Sequence, residues 1–491
     1  MPKSKVFTGV IWASIQRFGT MIISFVTNIV LARLLTPDDF GTIGMLLLFL
    51  AIANTFVDSG FGSALIQKKD ANQTDFSTVF FINLGLSVVV YAILFFGAPW
   101  VARFYDVDIL RPLLRAQGLV LILHAFSIIQ TALLRKKMDF KNLSICNLIG
   151  NIVGSVVGIG AALMGFGVWS LVIRTLVVGF VTSLLLWIIG KWKPFLVFSK
   201  QSFKELFGFG GFMLLSSIVF CVSNNVQTLV IGKLFNSSSL GNFTQARQLR
   251  NVITDSVSSI IAQVLYPEFA NNQTDDILLL NKLHLSISIL SFLSVGIMAL
   301  CIIIAEPLIL LLFGEKWVHS ILFFQILCIA GCFYALQDVN INIVAAKGKS
   351  KLLFIFNTIS TIVYLIMIIV GGKLYGMNGL VIASTVYVFI AYLVFTFLSL
   401  RILKDNIWNH FKPLLLACFD VVLPIIVVIG VNHHFLMESH RLLIVVLDSF
   451  LLLSMYWIIA TKTKNTGCLY LNTICKNIFK NKIKNKNEPF E

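Results

Sequence analysis

The sequence predicts an all-α membrane protein of about fourteen transmembrane helices: two parallel six-helix lobes related by a pseudo-twofold axis along the membrane normal, followed by two further helices. Three observations predict it. Apolar runs of about 20 residues, the length that crosses a hydrocarbon core, recur down the whole chain. Lysine and arginine are abundant in every second loop and sparse in the loops between. The chain also resembles itself at an offset of 200 residues.

The apolar runs come first. Of 491 residues, 58% are apolar and 12% charged, with a mean hydropathy of +0.91. That is too little charge to cover a soluble protein of this size. The runs fall at 10–32, 42–65, 77–100, 113–134, 142–164, 167–190, 208–232, 241–266, 279–304, 318–345, 352–372, 377–400, 413–432 and 441–461. The first reads as a retained helix rather than a signal peptide. It holds Gln16, Arg17 and Asn28, and no small-residue cleavage site follows a short apolar core. The eight cysteines lie mostly inside these runs without a paired CxxC, so they read as packing residues.

The charges then orient the spans. With the N-terminus in the cytoplasm, about two-thirds of the 38 lysines and arginines lie on the cytoplasmic side and roughly a fifth on the other. Arg17, Arg174, Arg247 and Arg250 lie inside spans. Both termini are therefore expected in the cytoplasm. The net charge of +16 becomes a topology signal with some attraction to anionic lipid, not a nucleic-acid footprint.

The repeat relates the two lobes. Ala71-Asn72-Gln73-Thr74-Asp75 matches Asn271-Asn272-Gln273-Thr274-Asp275; Arg33-Leu34 matches Lys233-Leu234; Gly41 matches Gly241. Further on the offset becomes 210, with Lys137 on Lys347 and Lys141 on Lys351. Six spans separate the copies, so both have the same orientation. The expected division is an N-lobe over 1–200, a C-lobe over 201–400, two extra spans over 401–465 and a basic cytoplasmic tail over 466–491. In that tail Leu471, Ile474, Ile478 and Phe479 are roughly helix-spaced, which suits either a surface-lying amphipathic helix or a solvated tail.

Polar residues inside the spans mark candidate sites, because each costs free energy in lipid unless it meets water or a partner. Span 8 places Arg247, Arg250, Asn251, Thr254, Asp255, Ser258 and Ser259 on one helical face. Span 1 does the same with Ser14, Arg17, Thr20, Ser24, Thr27 and Asn28. Asn54, Thr55 and Asp58 form a shorter stripe in span 2, and Ser217, Asn224 and Thr228 one in span 7. At offset 200 these faces coincide, so they are expected to line one wet cavity, although interhelical hydrogen bonding also accounts for such stripes. Arg17, Arg247 and Arg250 suit a phosphate or diphosphate, since the guanidinium fork binds oxyanions through two parallel bonds and stays charged when buried. Asp58 and Asp255 read as their counter-ions or as sites for a coupling cation, H⁺ or Na⁺. Arg174 and His124 read as lone packing groups. The His433, His434, Glu438 and His440 cluster reads as a solvated loop despite its metal-like residue types.

Catalytic and cofactor motifs are missing: no GxxxxGK[ST], GxSxG, HExxH or GxGxxG occurs, and the loops are short. No cofactor and no enzymatic activity are expected. Energy must come from an ion gradient, the membrane potential or the substrate gradient.

Two segments carry a family resemblance. One is Asn28-Ile29-Val30-Leu31-Ala32-Arg33-Leu34-Leu35-Thr36-Pro37-Asp38-Asp39-Phe40-Gly41; the other is Asp58-Ser59-Gly60-Phe61-Gly62-Ser63-Ala64-Leu65-Ile66-Gln67. Together they resemble the Wzx/WzxC-like polysaccharide transporters of the multidrug/oligosaccharidyl-lipid/polysaccharide flippase superfamily. The resemblance implies a flippase of the bacterial cytoplasmic membrane. It would carry undecaprenyl-diphosphate-linked oligosaccharides outward by alternating access, with membrane lipids and other polysaccharide-assembly proteins as its partners. In the related lipid II flippases the resemblance implies diphosphate binding by cavity arginines, and Arg17 stands in a comparable first-span position. A cation-coupled small-molecule exporter of the same superfamily is the competing expectation, and it rests on Asp58 and Asp255. A membrane-embedded polymerase or ligase fits less well, since such enzymes carry a large outer loop.

Overall fold

In an apolar chain the first structural task of polar residues is to start helices, whose leading N–H groups have no partner within the helix. The Thr36 N–H donates to Asp39 Oδ2 at 2.9 Å, and the Asp39 N–H donates to Thr36 Oγ1 at 3.3 Å. Two hundred residues on, the Ser239 N–H donates to Asn236 Oδ1 at 2.8 Å. Asn72 and Asp75 form a complete capping box. In the second copy of that motif Asp275 is itself the cap, accepting from the Leu278 N–H at 2.9 Å. Both recurring motifs are therefore helix-start signals.

The computed structural model describes the backbone of residues 3–58, 62, 65, 66, 68, 70–271, 275–435 and 441–473, with the side chains of 3–7, 201–213, 215, 216, 257–274, 350 and 433–435 excepted. Ser258 and Ser259 side chains, the His433–His440 cluster, most of the 59–67 motif and the tail from Ile474 fall outside this description. The long helices are α1 (Lys3–Leu34), α2 (Pro37–Asp58), α3 (Gln73–Tyr105), α4 (Leu110–Lys136), α5 (Phe140–Leu163), α6 (Trp169–Gly190), α7 (Lys200–Leu234), α8 (Ser237–Asn271), α9 (Asp276–Ile303) and α10 (His319–Ala346). A short helix, Ala305–Leu312, stands between α9 and α10. The run Ser350–Leu403 breaks at Tyr375 and at Gly376, whose φ of 65° is in the left-handed region. Its arms are α11 (350–374) and α12 (377–403). Two more follow: α13 (Ile407–Phe435) and α14 (Arg441–Lys462).

Twelve helical segments among the described residues are long and apolar enough to cross a membrane, and one of them holds both α11 and α12. The polar α8 is not among the twelve. Fourteen long helices thus stand where fourteen apolar runs were read, and no strand occurs among the described residues. The chain is a multi-pass, all-α membrane protein.

Contacts divide it into two compact units, Met1–Thr244 and Gln245–Glu491. In the first, α2, α3 and α4 pack around Val57, Val79, Leu121 and Ile129. Phe80 meets Phe126, Trp187 and Trp192 edge-on at 5.8–5.9 Å. α7 packs on α2, and the starts of α2 and α8 cross at two glycines. A Cβ on Gly41 would lie 1.7 Å from the Ser237 carbonyl oxygen, and one on Gly241 would lie 1.8 Å from that of Pro37. Ser237 Oγ also donates to Asp38 Oδ1. Only glycine fits at either position.

The stretch from α6 to α7 is extended, and side chains of α3 and α4 hold its backbone. Phe195 and Ser199 donate their N–H groups to Ser77 Oγ and Thr78 Oγ1, both at 3.0 Å. Gln130 Nε2 reaches the Trp192 carbonyl at 3.0 Å and Gln73 Nε2 the Lys193 carbonyl at 2.7 Å. Trp192 Nε1 donates to Gln73 Oε1 at 2.6 Å. Phe195, Leu196 and Phe198 remain exposed.

In the second unit the core joins α9, α10, α12, α13 and α14 through Leu283, Leu336, Tyr392, Ala417 and Leu452. It also takes in the beginning of the tail. Residues 466–473 are helical, Cys468 is fully buried in that core, and Leu471 packs against it. Gly467 lies against the Ser288 carbonyl, where a Cβ would come within 2.2 Å. The first turns of the tail are thus packed among helices rather than solvated.

Candidate functional site

The second unit brings arginines of α8 together with tyrosines of α10, α11 and α12. On α8, Arg250 is buried at 6% exposure and Arg247 is half-buried. The Arg250 guanidinium covers the Tyr334 ring of α10, 4.5 Å from its centroid. An aromatic face attracts a cation through its quadrupole without neutralising it. Arg250 Nε has no hydrogen-bond partner in the protein. Arg247 interacts electrostatically with Arg250, Tyr334 and Tyr364 of α11. The Tyr364 ring lies 4.6 Å from that of Tyr387 on α12. Two guanidiniums thus stand among three phenols, with donors enough to grip an oxyanion from several sides. Lower on the same face, exposed Asp255 interacts electrostatically with exposed Asp338 of α10. Asn251 is half-buried, and its carbonyl accepts from Thr254 Oγ1 at 3.3 Å.

The other sequence-derived residues belong to the first unit. Arg17 is exposed on α1 and Asn28 is buried. Asn54 is half-buried on α2. Asn224 is exposed and donates to the Phe220 carbonyl at 3.0 Å. Asp58 is exposed and comes within 3.8 Å of His124 Nδ1 on α4. That separation is beyond hydrogen-bond reach, and His124 Nδ1 has no hydrogen-bond partner among the described residues. Arg174 is half-buried with its Nε unpartnered.

Sequence reasoning missed Tyr334, Tyr364 and Tyr387, because an aromatic residue in an apolar run carries no sign of which neighbour its ring meets. It also passed over two carboxyls that the spans do signal. Asp420 of α13 accepts from Asn465 Nδ2 at 2.8 Å, and Asp448 of α14 accepts from Asn432 Nδ2 at 2.8 Å. Both are fully buried, each with one oxygen unpartnered. In the α12–α13 turn, Asp405 accepts from His284 at 2.5 Å. Burial pushes the Asp405 carboxyl up, but the His284 hydrogen bond and the Asn406 N–H outweigh it and hold it below its usual range.

The sequence signature of the polysaccharide biosynthesis protein family spans residues 30–322, taking in α2 through α9 with the whole polar face of α8. The chain belongs to that family. Members similar to it include the teichuronic acid biosynthesis protein TuaB of Bacillus subtilis, 24% identical over 89% of this chain and 91% of that protein. The lipopolysaccharide biosynthesis protein WzxC of Escherichia coli is 25% identical over 87% of both chains. The family resemblance read in the two sequence segments is borne out. The fold matches the lipid II flippase MurJ in an inward closed conformation, with a TM-score of 0.75, 16% identity, and coverage of 92% of this chain and 98% of that one. Family and fold together make this a multi-pass membrane protein of the polysaccharide biosynthesis family.

Proposed function

We propose that this protein is a flippase for undecaprenyl-diphosphate-linked oligosaccharide repeat units. It moves them from the cytoplasmic to the outer leaflet of a bacterial cytoplasmic membrane, for O-antigen, capsule or exopolysaccharide. The observation that carries the reading is the Arg247–Arg250 pair of α8 set among Tyr334, Tyr364 and Tyr387, in a chain of the polysaccharide biosynthesis family. A diphosphate needs charged donors that survive burial, and guanidinium is the side chain that supplies them. The phenols add donors and flat faces suited to a sugar.

Transport proceeds by alternating access of the lobes 1–200 and 201–400, with the termini in the cytoplasm. Arg17 takes part in holding the diphosphate. Asp58 and Asp255 couple the cycle to a cation, and Asn28, Asn54, Asn224 and Asn251 supply neutral polar contacts along the path. The protein acts with the enzymes that build and polymerise the repeat unit and performs no bond chemistry itself.

The test is the sidedness of lipid-linked oligosaccharide in cells depleted of the protein, read with a membrane-impermeant glycan-modifying probe. Accumulation in the cytoplasmic leaflet with loss of surface polysaccharide is the expected result. Unchanged sidedness with altered drug susceptibility would replace this reading with cation-coupled export of small molecules.

A further inference from the structure

Two cavities along α4, one against α3 and the other against α6, are left unused by the function above. One, of about 410 Å³, is lined by Tyr91 of α3 and by Arg111, Pro112, Arg115, Ala116 and Leu119 of α4. Arg115 is locked in place: its Nε donates to the Phe95 carbonyl at 3.1 Å, and its guanidinium lies 4.2 Å from the centroid of the Phe95 ring. The Phe95 ring in turn leans on Tyr91, 6.0 Å away. Its terminal nitrogens are left for the cavity that Arg115 lines. Arg111, one turn nearer the start of α4, is exposed.

The second cavity, of about 320 Å³, is lined by Leu123 and Phe126 of α4 and by Phe180, Leu184 and Trp187 of α6, with Ser183 as its one polar side chain. Leu119 and Leu123 share a face of α4 one turn apart, so the second cavity begins about 6 Å further along the helix than the first ends. From Arg111 to Phe126 the two cavities together line about 22 Å of α4, and a chain-like ligand laid along that helix would occupy both. Cationic forks at one end and aromatic and aliphatic walls at the other match a molecule with an oxyanion head and a hydrocarbon chain. Free phosphate would leave the apolar cavity unused.

We propose that this groove on α4 is a binding site for a membrane lipid whose headgroup carries phosphate, with the phosphate on Arg111 and Arg115 and the hydrocarbon chain along Leu119, Leu123 and Leu184. The α3–α4 turn lies three spans from the N-terminus and hence on the opposite face. In the proposed orientation that is the outer leaflet, where a translocated lipid arrives. The site lies wholly in the first unit and uses none of Arg17, Arg247 or Arg250.

Native mass spectrometry of the full-length protein in detergent tests it, titrating phosphatidylglycerol, undecaprenyl diphosphate, phosphatidylcholine and inorganic diphosphate. At least one of the two anionic lipids should bind more tightly than phosphatidylcholine. A preference for undecaprenyl diphosphate assigns the transported lipid class, and a preference for phosphatidylglycerol assigns bulk anionic lipid. The Arg111→Gln/Arg115→Gln protein should bind about tenfold more weakly or worse, the loss expected for charge-assisted hydrogen bonds. Leu184→Trp, on an exposed side chain, should weaken the lipids and leave inorganic diphosphate unchanged. Arg111→Gln alone alters one exposed side chain and should already show part of the loss, which separates the effect from misfolding. Equal binding of phosphatidylcholine, unchanged affinity in the double variant, or inorganic diphosphate binding as tightly as the lipids would each overturn the proposal. Arg250→Ala should leave this binding intact, so its failure and that of the flippase reading are told apart.

Discussion

Helices α2 and α8 occupy the same place in the two copies of the repeat, and they begin alike. Each starts behind a side-chain cap, at Thr36–Asp39 and at Asn236–Ser239. Each presents a glycine to the other's first carbonyl. Two turns later they part. Where α8 has Arg247, Arg250 and Asn251, α2 has Leu47, Leu50 and Ala51. The partner helix diverges too: at the offset of 210, His124 of α4 corresponds to Tyr334 of α10. In the first copy these helices meet through a carboxylate and an imidazole; in the second, through a guanidinium and a phenol ring. The shared beginnings are architecture, because steric fit at the crossing admits one residue type. The divergent middles differ in chemistry: only the α8 copy carries the arginine pair at these positions.

The largest effect should come from breaking what the two helices share. Gly41→Val or Gly241→Val drives a side chain into a backbone carbonyl, which a packed interior does not absorb; the expected loss is about 3 kcal/mol or more. Membrane yield and thermal unfolding in detergent measure it. Transport should respond next. Arg250→Ala should lower export of lipid-linked oligosaccharide at least tenfold, on the order of 2 kcal/mol or more for a charged hydrogen-bonding partner, with the protein still folded. The reverse exchange sharpens the contrast: Leu50→Arg puts the same charge in α2 with no aromatic ring described beneath it, and thermal unfolding should register about 2.5–3.5 kcal/mol of destabilisation. Tyr334→Phe keeps the ring under Arg250 and should export nearly as the parent does. Tyr334→Leu removes the ring and should cost about 0.5–2 kcal/mol, a several-fold drop in the same assay. The smallest change belongs to Asp58→Asn. An exposed pair 3.8 Å apart contributes under about 1 kcal/mol, so unfolding should barely move. Export should fall in that variant with stability unchanged, as the proposed coupling role of Asp58 requires.

Hydropathy made the spans legible, down to the pair α11 and α12 that run together across Tyr375 and Gly376. Offset matching made the repeat legible, and the glycine crossing gives that match its physical cause. The arginines of α8 stood out because charge in a membrane is conspicuous. Their tyrosine partners did not, because a ring that supports a cation and a ring that fills a core have the same sequence signature. Arg111 and Arg115 were hidden differently: near a helix end they counted as topology charges, and only the cavity beside them gives them another use. Asp448 and Asp420 were visible as carboxyls in apolar runs. Their amide partners were not, since Asn465 stands beyond the last span.

The crossing of α2 and α8 has a practical consequence for dissecting this duplicated chain. By sequence, the seam between the copies lies near residue 200, the obvious place to cut the gene and express the halves separately. Yet the first unit keeps α7 and the opening of α8, where Ser237 and Gly241 lie against Pro37, Asp38 and Gly41 of α2. Halves divided at the genetic seam would each emerge with torn edges. A break introduced after Thr244 would leave the first unit's contacts whole.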